Sequence, residues 1–304
     1  MLKVIFVIVI IFLIILYIVI PFFAIITSFV RPKDGYHTDE KIWKTFMEAN
    51  KTGREFIMSK RPEEIFIKSF DGLKLSGLFV DKKSDKTVVF VHGYQSDGGL
   101  HDHGMTARYF DDKNYNLLYV DDRAHGNSEG NKIGFSILDY KDVLSWIDYL
   151  DKRLPDSKIV VYGISMGGAT VVNVAGEKNL SSSVKGVIAD CPFSSGYDEV
   201  KYLNSTRYHL PSSVLFMDDL FMKLICGYHL KDAEPKERIR NCKIPLLLIH
   251  GDKDRYVPTY MSEEIYDNAT CPKKRVVVEG AKHASSYLIN KDLYERSLEE
   301  FWLI

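Results

Sequence analysis

Short apolar runs alternating with helical segments restrict the fold of this chain more than any other feature. Eight segments have the length and composition of β-strands, and the last six are nearly continuous apolar runs, typical of strands covered on both faces. The predicted strands are 64–70, 74–80, 87–91, 116–120, 158–162, 184–189, 245–249 and 275–278. The predicted helices among them are 99–112, 137–153, 166–176, 259–268 and 283–302. A hairpin turn at Asp71-Gly72 followed by strand–helix alternation predicts an α/β fold: a mostly parallel eight-stranded sheet with helices on both faces.

One interval interrupts this alternation. Residues 193–240 carry no strand pattern and instead contain aromatic and helix-like segments such as Val214–Ile225. A structureless loop of that length is unusual in a compact domain. We therefore predict a small helical cap at about 192–240, inserted within a domain that covers residues 61–304.

The N-terminus carries a long apolar run. No charged residue occurs from Val4 to Ile26, and a helix of that length can span a hydrocarbon core of about 30 Å. Pro21 is expected to kink this helix or to end its regular part. We predict a retained single-pass anchor at residues 1–30. A cleaved signal peptide is the alternative, but it would have a shorter apolar region and small residues at the cleavage site.

The membrane side of the following domain stays open. Lys and Arg residues are more frequent after the run than before it, which favours a cytoplasmic domain. The short charged head before the run, however, resembles a start signal for export. Residues 31–60 are predicted to form a linker and an amphipathic helix at about 38–52. Its apolar stripe, which is expected to pack on the domain, consists of Ile42, Trp43, Phe46 and Met47. Gly53 is expected to end this helix.

The segment Gly163-Ile164-Ser165-Met166-Gly167 fits the pattern G-x-S-x-G. It lies between a predicted strand and a predicted helix, which is the setting of a nucleophile elbow. Such a sharp turn raises the serine hydroxyl above the sheet edge, and Gly163 and Gly167 are needed where backbones approach closely. Ser165 is therefore the candidate nucleophile.

A second motif, His92-Gly93-Tyr94, directly follows the third predicted strand. The backbone N–H groups of Tyr94 and Met166 are the candidate oxyanion-hole donors, which would stabilise the negative charge that develops on a carbonyl oxygen during attack. We predict that His92 holds this loop in place and takes no part in catalysis.

The candidate base and acid follow the last two predicted strands. His283 is the candidate base, because its loop opens toward the sheet edge that carries Ser165. The acid must orient that imidazole. Two carboxylates of the loop after strand 245–249 compete for this role, and we prefer Asp254 to Asp252. The three candidates follow one another along the chain in the order Ser, Asp, His.

Together these motifs resemble the α/β-hydrolase superfamily, in particular its serine aminopeptidase-like and monoacylglycerol lipase-like branch. The resemblance covers about residues 60–304 and includes the segment 121–130, which is similar to the pattern D-x-R-x-H-G-x-S-x-G. It implies that Arg123 and His125, like His92 and Gly93, support the floor of the site. It also implies an α/β-hydrolase fold with a small cap and hydrolysis of esters, thioesters or amides without a cofactor.

The most specific hypothesis is a serine hydrolase that cleaves carboxylic esters, with an acyl or lipid substrate suggested by the predicted anchor. A serine peptidase is the first alternative, and a non-catalytic interaction protein on the same fold is the second. The formal net charge of −1 gives no electrostatic basis for a nucleic-acid partner. The pair His101 and His103 lacks the further ligands of a metallohydrolase motif, so we expect no metal site. The four cysteines have no metal-ligand spacing, and the oligomeric state stays open.

Overall fold

The computed structural model of the chain describes residues 2–33, 36 and 40–301, with the side chains of 40–43 left out. Its strands are β1 Glu63–Lys68, β2 Lys74–Val80, β3 Lys86–Val91, β4 Asn116–Val120, β5 Lys158–Ile164, β6 Val184–Asp190, β7 Leu246–Gly251 and β8 Lys273–Val278. They form one eight-stranded sheet in the order β1-β2-β4-β3-β5-β6-β7-β8. The pairs β1–β2 and β2–β4 are antiparallel and the remaining pairs are parallel. The prediction of an eight-stranded, mostly parallel α/β fold is confirmed.

The helices of the N-terminal part and of the sheet are α1 Leu2–Ile14, α2 Ile20–Phe29, α3 Glu40–Ser59, α4 Gly99–Asp102, α5 Gly104–Asp112, α6 Asp139–Arg153 and α7 Met166–Ala175. The later helices are α8 Gly196–Thr206, α9 Leu215–Cys226, α10 Pro235–Arg238, α11 Tyr260–Asn268, α12 Ser286–Ile289 and α13 Lys291–Phe301. Helices α8 to α10 lie between β6 and β7, in the interval that interrupts the strand–helix alternation.

Side chains of each central strand alternate between two apolar layers. On β3, Val89 and Val91 pack with Trp146 on one face of the sheet, whereas Val88 and Phe90 belong to the layer on the other face. All five residues are buried. This two-sided coverage explains why the central strands have no polar alternation in the sequence.

The N-terminal apolar helix is continuous from Leu2 to Phe29, and its length and composition would allow it to cross a membrane. A π-helical turn at Ile15–Val19 lies directly before Pro21. A proline cannot donate the usual backbone hydrogen bond and its ring crowds the carbonyl four residues earlier, so a widened turn at this point accommodates it. Pro21 therefore does not end the helix.

Three helix boundaries differ from the predictions. Helix α3 continues through Gly53 to Ser59, because Gly53 packs against the backbone of α5: a Cβ atom there would lie 1.7 Å from the carbonyl oxygen of Gly104. The helix predicted at 99–112 is interrupted at His103, and the last helices begin at Ser286 and Lys291 rather than at residue 283. The predicted start of α3 at 38 and the predicted end of the last helix at 302 lie outside the described residues.

Candidate active site

Ser165 stands at the sharp turn between β5 and α7. Its backbone has φ 57° and ψ −117°, a conformation that non-glycine residues rarely adopt. A Cβ atom on Gly163 would lie 2.1 Å from the carbonyl oxygen of Gly167, and one on Gly167 would lie 2.1 Å from that of Val91. Close backbone approach therefore requires glycine at both positions.

The three residues predicted as nucleophile, base and acid are hydrogen-bonded in series. His283 Nε2 lies 2.8 Å from Ser165 Oγ, and His283 Nδ1 lies 2.7 Å from Asp254 Oδ2. Because the ionised carboxylate only accepts hydrogen bonds, Nδ1 carries the proton and donates it. Nε2 is then free of its proton and can accept the hydrogen bond of the serine hydroxyl.

Asp254 is buried and its position is fixed by backbone donors. Its Oδ1 accepts hydrogen bonds from the N–H groups of Tyr256 at 2.9 Å and Val257 at 3.0 Å. Burial alone would raise the pKa of Asp254, but the neighbouring His283 and His250 outweigh it and hold the pKa well below its usual range. The carboxylate is therefore ionised across the neutral pH range.

The Asp254 carboxylate in turn shifts the pKa of the His283 imidazole. Burial alone would lower the pKa of His283, but the Asp254 carboxylate outweighs this effect and raises it above the ordinary value. The competing carboxylate, Asp252, turns away: it accepts a hydrogen bond from Gly280 N at 2.6 Å and pairs with Lys253. The geometry thus joins Asp254, and not Asp252, to His283.

The two predicted oxyanion-hole residues, Tyr94 and Met166, line the same cavity as Ser165. The loop that carries Tyr94 is held by the ring of His92, whose Nε2 accepts a hydrogen bond from Asp122 N at 3.0 Å while Nδ1 lies 2.7 Å from the carbonyl oxygen of Gly93. The fully buried His92 therefore joins two loops and does not reach the serine.

Arg123 and His125 lie behind these loops. The guanidinium of Arg123 is buried and binds Asp142 at 2.6 and 2.8 Å and Asp71 at 3.0 and 3.1 Å. The ring of His125 packs edge-on against that of His92, with centroids 4.6 Å apart, and its Nδ1 lies 2.9 Å from the carbonyl oxygen of Arg123. Neither residue touches Ser165 Oγ or His283, so their contribution is to hold the loop.

The histidines His101 and His103, for which no metal site is expected, have separate partners. His101 contacts Asp102 at 3.1 Å, whereas His103 Nε2 lies 2.9 Å from the carbonyl oxygen of Val91. Burial lowers the pKa of His103 to about 4. Within the described part of the chain, the one cluster with the spacing of metal ligands combines Cys191 with the Asp254–His283 pair. Burial raises the pKa of the Cys191 thiol, which disfavours the thiolate that a metal requires.

The cavity in front of Ser165 has a volume of about 760 Å³. Two contributors to its lining were not predicted from the sequence. One is the N-terminal helix, whose residues from Ile20 to Phe29 take part in the lining, and the other is the buried Glu199 of α8. Burial, with a smaller contribution from Asp254, raises the pKa of Glu199 well above its usual range. No sequence pattern distinguishes this glutamate from the solvated acids around it.

Comparisons with known proteins agree with this architecture. Residues 82–217 match the family model described as Serine aminopeptidase, S33. The uncharacterized protein YqkD of Bacillus subtilis is 28% identical over 267 residues, which cover 87% of each chain. The lysophosphatidylserine lipase ABHD12 of Danio rerio is 20% identical over 63% of this chain and 49% of its own length. The structure of the Pyrococcus furiosus esterase Pf2001 superimposes with a TM-score of 0.65 at 25% identity, covering 90% of this chain and 96% of the esterase. By sequence motifs, topology and these similarities, the chain is a hydrolase of the α/β-hydrolase superfamily.

Proposed function

We propose that this protein is a serine hydrolase that cleaves carboxylic esters of acyl substrates through an acyl-enzyme on Ser165. The observation that carries the proposal is the hydrogen-bond series from Ser165 Oγ through His283 to the buried Asp254. A serine hydroxyl is a weak nucleophile at neutral pH, so a base in direct contact is what makes attack possible. Because His283 Nδ1 faces the Asp254 carboxylate, a neutral imidazole presents its unprotonated Nε2 to the serine hydroxyl.

In the first half-reaction Ser165 Oγ attacks the ester carbonyl carbon while His283 Nε2 takes the hydroxyl proton. The negative charge on the carbonyl oxygen is stabilised by the N–H groups of Tyr94 and Met166. The carbon–oxygen bond to the alcohol breaks, and His283 returns the proton to that alcohol. In the second half-reaction His283 deprotonates water, which attacks the carbonyl carbon of the acyl-enzyme. The bond from this carbon to Ser165 Oγ breaks, the carboxylic acid leaves, and His283 returns the proton to Ser165 Oγ. Asp254 stabilises the imidazolium in both halves, and no cofactor enters either half.

We also propose that residues 1–30 are a retained membrane anchor rather than a cleaved leader. The end of this segment is bonded to the hydrolase domain. Arg31 donates hydrogen bonds to the carbonyl oxygens of Gly126 at 2.6 Å and Ser128 at 2.8 Å, and Ile133 N donates to the carbonyl oxygen of Phe29 at 2.9 Å. Cleavage after the apolar run would remove part of these contacts, which favours retention.

The similarities favour an ester over an amide substrate. The structural neighbour from Pyrococcus furiosus is an esterase, and the relative from Danio rerio is a lipase. The description of the matching family model favours a peptidase as the second candidate. The cavity in front of Ser165 is lined mainly by apolar groups, which suits an acyl chain better than a charged amino terminus.

The test uses the full chain in detergent with p-nitrophenyl esters and aminoacyl arylamides. We expect ester turnover that Ser165→Ala abolishes and that Ser205→Ala, an exposed cap serine, leaves unchanged. We also expect a fluorophosphonate to label the wild type and not Ser165→Ala. Ester turnover retained by Ser165→Ala would refute the proposed nucleophile. Arylamide turnover with little ester turnover would favour the peptidase, and an unlabelled, inactive wild type would leave the non-catalytic alternative.

A further inference from the structure

The N-terminal helix forms one wall of the cavity that contains Ser165. The wall is made by Ile20, Ala24, Ile25, Thr27, Ser28 and Phe29. Val200, Leu203 and Leu210 of the cap line the same cavity. A segment that only tethered the domain would have no reason to line the cavity, so the position of α2 points to a role in substrate binding.

The end of this helix nearest Ser165 is fixed by specific contacts. Tyr94, the predicted oxyanion-hole residue, donates a hydrogen bond from its hydroxyl to the carbonyl oxygen of Ser28 at 2.5 Å. The ring of Phe29 packs edge-on against that of Phe135, with centroids 5.0 Å apart, and it is buried. This end of α2 is therefore part of the packed core around the site.

Farther from Ser165, the same helix runs along the cap. The ring of Phe22 packs edge-on against that of Phe221 on α9, with centroids 5.6 Å apart. One turn earlier, Tyr17 OH lies 2.7 Å from Ser213 Oγ, just before α9. The cap is thus held beside the apolar helix over several turns.

The cap helix α9 carries an apolar stripe that the described part of the chain covers only in part. Phe216, Leu220 and Leu224 recur every four residues, so they lie on one face, and they are 71%, 37% and 69% exposed. Transfer of such large apolar side chains from water to an apolar medium is favourable. A face of this kind next to a helix long enough to cross a bilayer is suited to lie in the membrane surface.

The length of the apolar helix indicates where the cavity would lie relative to the membrane. Its 28 residues from Leu2 to Phe29 measure about 42 Å at the usual helical rise, whereas a hydrocarbon core is about 30 Å thick and needs about 20 residues. If the first 20 or so residues fill the core, the last eight lie at the membrane surface. Five of the six helix residues that line the cavity belong to these eight, which would place the mouth of the cavity at the level of the lipid headgroups.

We propose that α2 and the segment from α8 to Leu210 form an acyl-chain site, and that the stripe of α9 holds the mouth of this site against the bilayer. The substrate is then a membrane lipid ester whose acyl chain enters along Ala24 without passing through water. This proposal rests on the proposed ester-hydrolase function, and it adds the substrate class and the route. It also gives the apolar helix a second role: the same segment anchors the enzyme and forms part of its specificity pocket.

The first experiment obstructs the proposed path of the acyl chain with a bulky side chain. Ala24→Trp places a large ring in the cavity wall, and Phe23→Trp places the same ring at a 58% exposed position outside the lining. We expect Ala24→Trp to lower the ratio of kcat/KM for p-nitrophenyl palmitate to that for the butyrate by about tenfold or more, and Phe23→Trp to leave both esters unchanged. Equal ratios in the two variants would overturn the proposal, although ester hydrolysis itself would stand.

The second experiment locates the chain directly. A hexadecyl fluorophosphonate with a diazirine in its tail would phosphonylate Ser165: the Oγ–phosphorus bond forms, fluoride leaves, and the proton passes to His283. After irradiation we expect cross-links to α2. Labelling of Ser165 with cross-links to the cap and none to α2 would overturn this proposal and leave the proposed function standing. A failure to label Ser165 would instead refute the proposed function.

The third experiment tests contact between α9 and the bilayer. Leu224→Asp adds a charge to the stripe, whereas Ser205→Asp adds the same charge at an exposed polar position of α8. We expect the first variant alone to lose turnover, by about tenfold, on a long-chain ester carried in phosphatidylcholine vesicles, with unchanged turnover of the soluble butyrate. A change of oligomeric state without any loss on vesicles would show that the stripe is an interface between two copies, and would overturn membrane docking.

Discussion

The carboxylate of Asp254 gives the sharpest test of the proposed mechanism, through the substitution Asp254→Asn. Oδ1 of this residue accepts two backbone hydrogen bonds, from Tyr256 and Val257. The asparagine must therefore keep its carbonyl oxygen at that position and place its NH2 group where Oδ2 now faces His283. Two donors cannot face each other, so the imidazole changes tautomer and presents an N–H to Ser165 Oγ.

The wrong tautomer cannot accept the serine proton. Loss of this function in a serine triad typically lowers kcat by about 10⁴-fold, equivalent to about 5.4 kcal/mol of transition-state stabilisation. The measurement is kcat on p-nitrophenyl butyrate, together with the rate of fluorophosphonate labelling. Both quantities should fall by similar factors, because both need deprotonation of Ser165. Folding should be unaffected, since the side chain keeps its size and its backbone contacts.

The matched control is Asp252→Asn, which changes the neighbouring carboxylate of the same loop. Asp252 accepts a hydrogen bond from Gly280 and pairs with Lys253. Among the hydrogen bonds of the described residues, none joins it to the imidazole, so kcat should remain within a few-fold of the wild type. Retention of kcat within tenfold in Asp254→Asn, or a loss in Asp252→Asn as large as in Asp254→Asn, would refute the assignment of the acid.

Three further outcomes follow from the geometry. The imidazole of His283 must be neutral to act as a base, so kcat/KM should rise as pH increases through its pKa. Because Asp254 raises that pKa, a pH profile of the wild type should show the rise above pH 6.5. In Asp254→Asn the rise should move to lower pH. Gly53→Ala should destabilise the protein by about 1–3 kcal/mol, because its Cβ has no room beside α5; thermal unfolding in detergent, with exposed Thr52→Ala as control, checks this. Arg123→Met leaves the buried Asp142 unpaired, so the free energy of unfolding in guanidinium titrations should fall by about 3–5 kcal/mol; an unchanged value would contradict the structural role of the arginine.

The sheet and the convergence of the three site residues were predictable because local signals determine both. The central strands are apolar on both faces, so their sequences carry no competing helical period. Ser165, Asp254 and His283 each follow a strand, and parallel strands end at the same edge of a sheet. Chain order and strand order therefore bring the three residues together without any knowledge of side-chain packing.

Boundaries that depend on tertiary contacts were not predictable in this way. A glycine at position 53 is typical of a helix end. In the structure it is required because α3 approaches α5 closely there, and no local sequence pattern encodes that approach. The segment after His283 has a helical period, yet its first helix begins only at Ser286. The imidazole must reach Ser165 Oγ and Asp254 at once, and the loop conformation that permits this competes with helix formation.

The role of α2 was hidden for a different reason. A helix that is apolar on every face has no polar side to mark its orientation, so the sequence cannot say which face meets lipid and which meets protein. The structure separates them: Pro21, Ile25 and Phe29 are buried at intervals of four residues, whereas every side chain of α1 is exposed. A uniformly apolar stretch can therefore hold a specific binding surface in its last turns. If Ala24 lies on that surface, the N-terminal helix is a part of the active site, and its removal should change which esters are hydrolysed as well as where.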